Sequence, residues 1–127
     1  LGFSYDGLAH TFSYTNWAVV GSNGVLVPPF GNPIPNPMFY DAFAFRAKAL
    51  GELTTEQINA LYFERGEEML PVESCFGGLA VYRQEAIMSQ ASYGGEDCEH
   101  VVFHRNLATL GFDRQFLNPS QLVLYSE

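Results

Sequence analysis

The residues best suited to chemistry lie in one short segment, Tyr93-Gly94-Gly95-Glu96-Asp97, at the start of a predicted helix. Its two glycines let the backbone come close to a ligand, and its two acids lie at the positive end of the helix dipole, which favours ionised carboxylates. An ionised carboxylate at the rim of a cleft can take a proton from a hydroxyl nucleophile or can bind sugar hydroxyls. The alternative is that Glu96 and Asp97 only begin the helix.

Two histidines follow on the same predicted helix at a spacing that suits a shared metal ion. His100 and His104 stand at positions i and i+4, and they are our candidate metal ligands. The residues between them are Val-Val-Phe, so the glutamate of a His-Glu-x-x-His hydrolase is missing and a protease of that type is excluded. A purely structural role for the pair is the alternative.

Other catalytic arrangements are absent from the sequence. Asp97 and His104 would lie about 10.5 Å apart along a helix, too far for a base and the residue that orients it. No Gly-x-Ser-x-Gly elbow and no glycine-rich phosphate loop occurs. Cys75 lies in an apolar strand without a nearby cation, which is typical of a buried core thiol.

The elements that must position these side chains follow from apolar patterns and from glycine and proline. The helix is predicted over Glu96 to Leu110 and ends at Gly111. A strand is predicted over Val72 to Tyr82, where Gly77 and Gly78 indicate a bulge or a close approach of the backbone.

Strands that alternate with helices predict an α/β layered domain. Thr54 and Gln57 form a capping-box pattern at the start of one of the helices. The remaining predicted elements are a helix over 8–14, a strand over 17–20 that ends in a tight turn at 21–24, a loop over 28–37, helices over 39–50, 54–65 and 83–88, a turn at 93–95, a turn at 116–119 and a strand over 122–125.

Length and composition bound the classes of function. The 127 residues suit a single domain, 1–127, and 47% hydrophobic with 16% charged residues excludes a disordered chain. The net charge of -8 argues against binding to nucleic acid or to an anionic membrane surface. No apolar run reaches the roughly 18 residues that cross a bilayer, and Cys75 and Cys98 lack the paired spacing of a zinc site.

Two motifs, Ser-Cys-Phe-Gly-Gly-Leu-Ala at 74–80 and Tyr-Gly-Gly-Glu-Asp-Cys-Glu at 93–99, together resemble the C-terminal catalytic half of GT-A fold glycosyltransferases. In galactosyltransferases of that fold, a Phe-Gly-Gly strand precedes a Trp-Gly-Gly-Glu-Asp-Asp-Asp segment that holds the acceptor sugar and supplies the base. Tyr93 replaces the tryptophan here, and Cys98-Glu99 replaces the last two acids. Trp17 to Gly24 and Tyr40 to Arg46 are more loosely similar to fungal capsule-associated mannosyltransferase-type sequences.

The resemblance implies a three-layer, GT-A-like mixed sheet with flanking helices. It implies that this chain is the acceptor-side part and that the donor-binding βαβ half, with its Asp-x-Asp motif, precedes it in a longer enzyme. The reaction implied is transfer of a hexose from a nucleotide sugar to a carbohydrate hydroxyl, as in polysaccharide biosynthesis, with Mn²⁺ or Mg²⁺ as cofactor. The partners implied are the nucleotide sugar, the glycan acceptor and the N-terminal half of the same enzyme.

The resemblance also assigns roles to individual residues. In an enzyme that inverts the configuration at the anomeric carbon, Asp97 would be the base and Glu96 would orient the acceptor hydroxyl; a retaining enzyme would need a different role for them. The compartment would be the cytoplasm for a bacterial or viral protein and the Golgi lumen for a eukaryotic one. The substrate-binding residues implied are Gly77, Gly78, Tyr93, Gly94, Gly95 and Asn23, with Asp41 and Arg46 on the donor side.

Two other classes of function fit part of the sequence. A non-catalytic carbohydrate-binding or interaction module would use the Gly-Gly-Glu-Asp segment only to bind sugar hydroxyls. A small metalloprotein would use His100 and His104 and would contain stoichiometric metal when purified. An Asp-x-Asp segment upstream in the parent gene would favour the enzyme over both.

Overall fold

The fold is a mixed α/β arrangement built around two long strands. The computed structural model describes residues 2–3, 5–27, 38–40, 42–89 and 98–126. The strands are β1 (Gly2–Phe3), β2 (Val19–Val27), β3 (Met38–Phe39), β4 (Leu70–Pro71), β5 (Ala80–Tyr82) and β6 (Gln115–Ser126). The helices are α1 (Tyr5–Phe12), α2 (Thr55–Asn59), α3 (Gln84–Ile87) and α4 (Glu99–Thr109), with 3₁₀ turns at Ala42–Ala44 and Lys48–Leu50.

The long strands β2 and β6 pair in parallel at the centre of the sheet, and the short strands pair with them antiparallel. Strands β4 and β5 flank the first half of this central pair, whereas β1 and β3 flank the second half. Because different strands border the two halves, the sheet is mixed and curled rather than a flat ladder.

A bulge interrupts the central pair. Ser22 lies opposite Asn118 and Asn23 lies opposite Leu122, so the three residues Pro119-Ser120-Gln121 have no partner on β2. Proline has no N–H to donate to a ladder, which suits it to such a position. The polar side chains around the bulge are buried, and we call them the bulge network: Thr11, Ser22, Asn23, Asn118, Ser120 and Gln121.

The hydrophobic core has two clusters, and each holds part of the candidate site in place. The first packs the chain around the 3₁₀ turns and α2 against β6 through Phe39, Phe45, Ala47, Ile58, Val72, Cys75 and Leu117. The second packs α3 and α4 against the start of β2 through Ala18, Val19, Ala86, Phe103 and Leu107. No helix in the described part of the chain is long and apolar enough to cross a membrane.

Several predicted elements are confirmed. The helix predicted over Glu96 to Leu110 is α4 within its described part, and Gly111 follows it with a φ of 99°. The capping box at the start of α2 forms as predicted: Gln57 N donates to Thr54 Oγ1 at 3.1 Å, and Thr54 N donates to Gln57 Oε1 at 2.9 Å. The α/β class and the helices near 8–14 and 83–88 are confirmed as well.

The predicted helix over Phe39 to Leu50 is wrong. Phe39 belongs to β3, and Arg46 bridges to Ser74, with Arg46 N donating to Ser74 O at 2.9 Å and Glu73 N donating to Arg46 O at 2.8 Å. These long-range bonds use backbone groups that a helix would need for itself. The pairing with residues 73 and 74 therefore leaves only the two short 3₁₀ turns.

The predicted helix over Thr54 to Arg65 is too long. It ends at Asn59, because Leu61 and Phe63 pack against the first core cluster in non-helical chain. The carbonyl of Phe63 also accepts a hydrogen bond from Asn23 Nδ2 at 3.0 Å. Tertiary packing thus overrides the local helical pattern.

The predicted tight turn at Gly21 to Gly24 is also wrong, since β2 runs straight through it. A Cβ on Gly21 would lie 2.5 Å from Cys75 O, and one on Gly24 would lie 2.8 Å from Gly77 O. The glycines serve close strand packing rather than chain reversal. The predicted turn at 116–119 likewise lies inside β6, whereas the predicted loop at 28–37 and the turn at 93–95 lie outside the described residues.

Candidate functional site

The Phe-Gly-Gly segment forms a turn that lies against the central strand β2. Gly77 and Gly78 have φ values of 67° and 90°, in the left-handed region that favours glycine. A Cβ on Gly77 would collide with the carbonyl oxygen of Ser22. The predicted close approach of the backbone is therefore confirmed, and its partner is the backbone of β2.

The Phe76 side chain reaches from this turn to the first turn of α4. Its ring stacks on the His100 ring, with centroids 4.1 Å apart and an angle of 16° between the planes. His100 follows the Gly-Gly-Glu-Asp segment by only a few residues. We call this contact the Phe76–His100 junction. It joins the motif at 74–80 to the residue that follows the motif at 93–99.

A buried chain of hydrogen bonds lies behind the junction. His104 Nδ1 is 3.0 Å from Ser74 Oγ, and His104 Nε2 is 2.8 Å from Tyr82 Oη. Ser74 and His104 are 0% exposed. Burial, with a smaller contribution from the charge of His100, lowers the pKa of His104 to about 4. At neutral pH the ring is uncharged, so one nitrogen donates to a hydroxyl and the other accepts from one.

These contacts bear on the metal hypothesis for His100 and His104. Both ring nitrogens of His104 lie within hydrogen-bond distance of hydroxyl groups. Within 2–3, 5–27, 38–40, 42–89 and 98–126, no group of three or more His, Cys, Asp or Glu could hold a metal ion. The described residues therefore do not form a site for Mn²⁺ or Mg²⁺.

Asn23 lies inside the bulge network rather than on a surface. It is 2% exposed, and its Nδ2 donates to Phe63 O at 3.0 Å and to Pro119 O at 3.2 Å. The amide is thus used to connect β2, β6 and the chain after α2. Its predicted contact with a substrate stays a prediction.

Arg46 lines a cleft of about 1120 Å³ that also contains Lys48 and Arg105. Its Nη1 donates to Phe43 O at 3.2 Å and to Phe45 O at 2.8 Å, which holds the guanidinium at the cleft wall. The other predicted site residues, Asp41, Tyr93, Gly94, Gly95, Glu96 and Asp97, lie outside the described residues.

Sequence reasoning missed the hydroxyl partners of His104 and the residues that share the cleft with Arg46. Ser74 and Tyr82 are 30 and 22 residues away from His104 along the chain, and they occur at no spacing that a motif would display. Tyr82 meets the histidine because β5 and α4 both pack on the start of β2, and Ser74 meets it from the chain that bridges to Arg46.

The contacts at the junction join the glycine turn to α4. The stacked rings and the hydrogen bonds of His104 with Ser74 and Tyr82 fix the strand side and the helix side relative to each other. Comparisons of the chain with known protein families, with curated proteins and with solved structures found no match.

Proposed function

We propose that the chain is the acceptor-side part of a GT-A glycosyltransferase that transfers a hexose from a nucleotide sugar to a carbohydrate hydroxyl. The observation that supports this proposal is the Phe76–His100 junction, with its 4.1 Å ring separation. Phe76 belongs to the first of the two motifs that carry the resemblance, and His100 directly follows the second motif, so the junction is a contact between the chain at one motif and the chain next to the other. Such proximity is what a shared sugar site requires.

Asp97 acts as the base in this proposal, and Glu96 orients the acceptor hydroxyl. Both precede Cys98, the N-cap residue of α4, where the helix dipole favours ionised carboxylates. An ionised Asp97 takes the proton of the acceptor hydroxyl while the hydroxyl oxygen attacks the anomeric carbon of the donor. The bond from that carbon to the nucleotide diphosphate breaks, and the diphosphate leaves with the electron pair.

The residues around the junction have positioning roles. Hydrogen bonds between His104 and the hydroxyls of Ser74 and Tyr82 tie α4 to the chain on either side of the glycine turn. The contact with Ser74 is buried and the contact with Tyr82 is part-buried, and together they hold the base-bearing helix at a fixed distance from Gly77 and Gly78. A shift of about 1 Å in such a position can lower a rate by 10²-fold.

The finer assignment of the fold belongs to the same proposal. The curled mixed sheet is the acceptor-side portion of a three-layer GT-A sheet, and a donor-binding half with an Asp-x-Asp motif lies upstream in the longer protein. The Mn²⁺ or Mg²⁺ ion of the reaction would be held by that half.

The test is a transfer assay on the full-length protein with a panel of nucleotide hexoses and glycan acceptors. Asp97→Asn should lower kcat by about 10²- to 10⁴-fold, the usual contribution of a general base, with the fold intact. The matched control is Asp6→Asn, which changes the acid in the first turn of α1 and should leave turnover unchanged. Normal turnover in Asp97→Asn would contradict the proposal, and sugar binding without any transfer would favour the carbohydrate-binding module.

A further inference from the structure

A separate cleft of about 1120 Å³ lies between α4 and the chain around the 3₁₀ turn Lys48–Leu50. Phe45, Val72 and Val101 line it and are buried, so the cleft has an apolar surface with polar side chains around it. Ligand sites in proteins are commonly clefts of roughly 300 to 1,000 Å³ with this kind of lining. The space is sufficient for a ligand of one or two sugar rings.

Positively charged side chains are concentrated in the cleft, although the chain as a whole is acidic. Arg46, Lys48 and Arg105 line it, which is half of the six Lys and Arg residues of a protein with a net charge of -8. Glu52, Glu73 and Asp113 line it as well. Arginine and lysine hold carboxylate or phosphate oxygens, whereas carboxylates accept hydrogen bonds from hydroxyls. The lining therefore suits a ligand that carries both an anionic group and hydroxyls.

Gln115 is a buried polar residue in the wall of the cleft, beside these charged side chains. It lines the same cleft, is 3% exposed, and its Nε2 donates to His104 O at 2.8 Å and to Phe112 O at 3.1 Å. Two carbonyl acceptors fix the orientation of the amide, because a flipped amide would place oxygen against oxygen. Among the described residues, the buried Oε1 atom has no hydrogen-bond partner. A buried acceptor of this kind is costly unless a donor reaches it.

We propose that this cleft binds a hydroxylated ligand with an anionic group, a sugar acid or a sugar phosphate. Arg46, Lys48 and Arg105 hold the anionic oxygens, and the acids at the rim accept hydrogen bonds from ring hydroxyls. The site does not depend on the glycosyltransferase proposal, because it uses neither the Phe76–His100 junction nor Asp97.

The first test is an NMR titration of the ¹⁵N-labelled chain with glucuronate, with glucose 6-phosphate and with glucose. Glucuronate or glucose 6-phosphate should give saturable shifts at Lys48, Arg105 and the Gln115 side-chain amide, and added salt should weaken the binding. Glucose should bind about tenfold more weakly, because it lacks a charge-assisted hydrogen bond. The anion that binds more tightly distinguishes a carboxylate ligand from a phosphate ligand.

Matched variants make the test specific. Lys48→Gln and Arg105→Gln should each weaken anion binding by about tenfold. Arg65→Gln removes an exposed arginine that does not line the cleft and should leave binding unchanged. Asp97→Asn should also leave it unchanged, which separates this proposal from the proposed transferase. The proposal is overturned if neither anion gives saturable shifts, if glucose binds equally well, or if binding survives both cleft variants.

Discussion

Two glutamines of β6, Gln115 at its start and Gln121 in its bulge, are equally buried and are bonded differently. Gln121 is 2% exposed, and Gln115 is 3% exposed. Gln121 Oε1 accepts a hydrogen bond from Thr11 at 2.6 Å, and its Nε2 donates to Ser22 Oγ at 2.8 Å and to Leu79 O at 3.3 Å. Within the described residues, Gln115 uses only its Nε2, and its oxygen has no partner.

The two glutamines belong to two different polar regions. Gln121 is part of the bulge network, which stabilises the fold, whereas Gln115 lines the cleft that we propose as a binding site. The bulge network closes on itself, since Asn118 Nδ2 donates to Thr11 Oγ1 at 2.8 Å and Gly66 N donates to Ser120 Oγ at 2.9 Å. A closed network rigidifies the structure. The cleft, by contrast, is lined by side chains of both charges, and among the described residues the buried Gln115 oxygen in its wall has no donor.

The largest loss of stability is expected at Gly77, where the glycine turn packs against Ser22 of the bulge network. Gly77→Ala should destabilise the protein by about 4 kcal/mol, because the new Cβ meets the carbonyl of Ser22 and the φ is positive. Gly66→Ala is the control, since Gly66 has a φ of 92° but nothing within 4 Å of a Cβ. The Gly66→Ala variant should be less stable than the wild type by about 1 kcal/mol. Urea denaturation measures both, and equal losses would show that the close packing at Gly77 is unimportant.

The next effect is a loss of stability at low pH that depends on His104. The pKa of His104 is about 4 in the folded protein against 6.5 ordinarily. As the pH falls from 6.5 to 4, the unfolded chain binds a proton that the folded chain does not, so stability decreases over that window and is unaffected above it. The free energy of unfolding should fall by about 3 kcal/mol over this pH range.

His104→Gln should remove that part of the pH dependence. The measurement is urea denaturation at several pH values for the wild type and the variant. The same steep loss of stability in both proteins would show that other groups cause it.

A smaller effect is the difference of about 2 kcal/mol in stability loss that we expect between variants of the two glutamines. Gln121→Met should cost about 3 kcal/mol, because it leaves Thr11 and Ser22 without their buried partner. Gln115→Met should cost only about 1 kcal/mol, because it loses two bonds to carbonyls but also removes an acceptor that has no donor. Gln84→Met, at an exposed position, is the control. Equal losses at 121 and 115 would remove the distinction between the closed network and the cleft.

The smallest effect is expected for the cleft cations in the absence of ligand. Lys48→Gln and Arg105→Gln change exposed side chains and should alter stability by less than about 0.5 kcal/mol. Thermal unfolding of the free protein measures this. A loss of stability well above that size would mean that Lys48 and Arg105 contribute to the stability of the fold.

Local signals predicted part of the fold from the sequence. The capping box of Thr54 and Gln57 forms as expected, and α4 ends before Gly111. These features depend on residues within one helical turn of each other. The glycines at 21 and 24 were misassigned as a turn, because their role is to admit the chain at Cys75 and Gly77, which no local pattern shows.

The candidate sites were predictable only in part for the same reason. Gly77 and Gly78 were identified from the sequence because they are adjacent, and the structure confirms the close approach there. The cleft could not be predicted, since Arg46, Arg105 and Gln115 come from three distant parts of the chain. Asn23 was selected from a segment resemblance, and its burial in the bulge network depends on contacts with Phe63 and Pro119.

The central claim is that the Phe76–His100 junction is part of a sugar site. The most direct test is a titration of the ¹⁵N-labelled chain with a panel of neutral mono- and disaccharides, followed at the amide resonances of Gly77, Gly78 and His100. We expect saturable shifts of these resonances with at least one saccharide, and weaker binding of that saccharide in Glu96→Gln. An absence of shifts with every saccharide, or equally tight binding in Glu96→Gln, would contradict the claim.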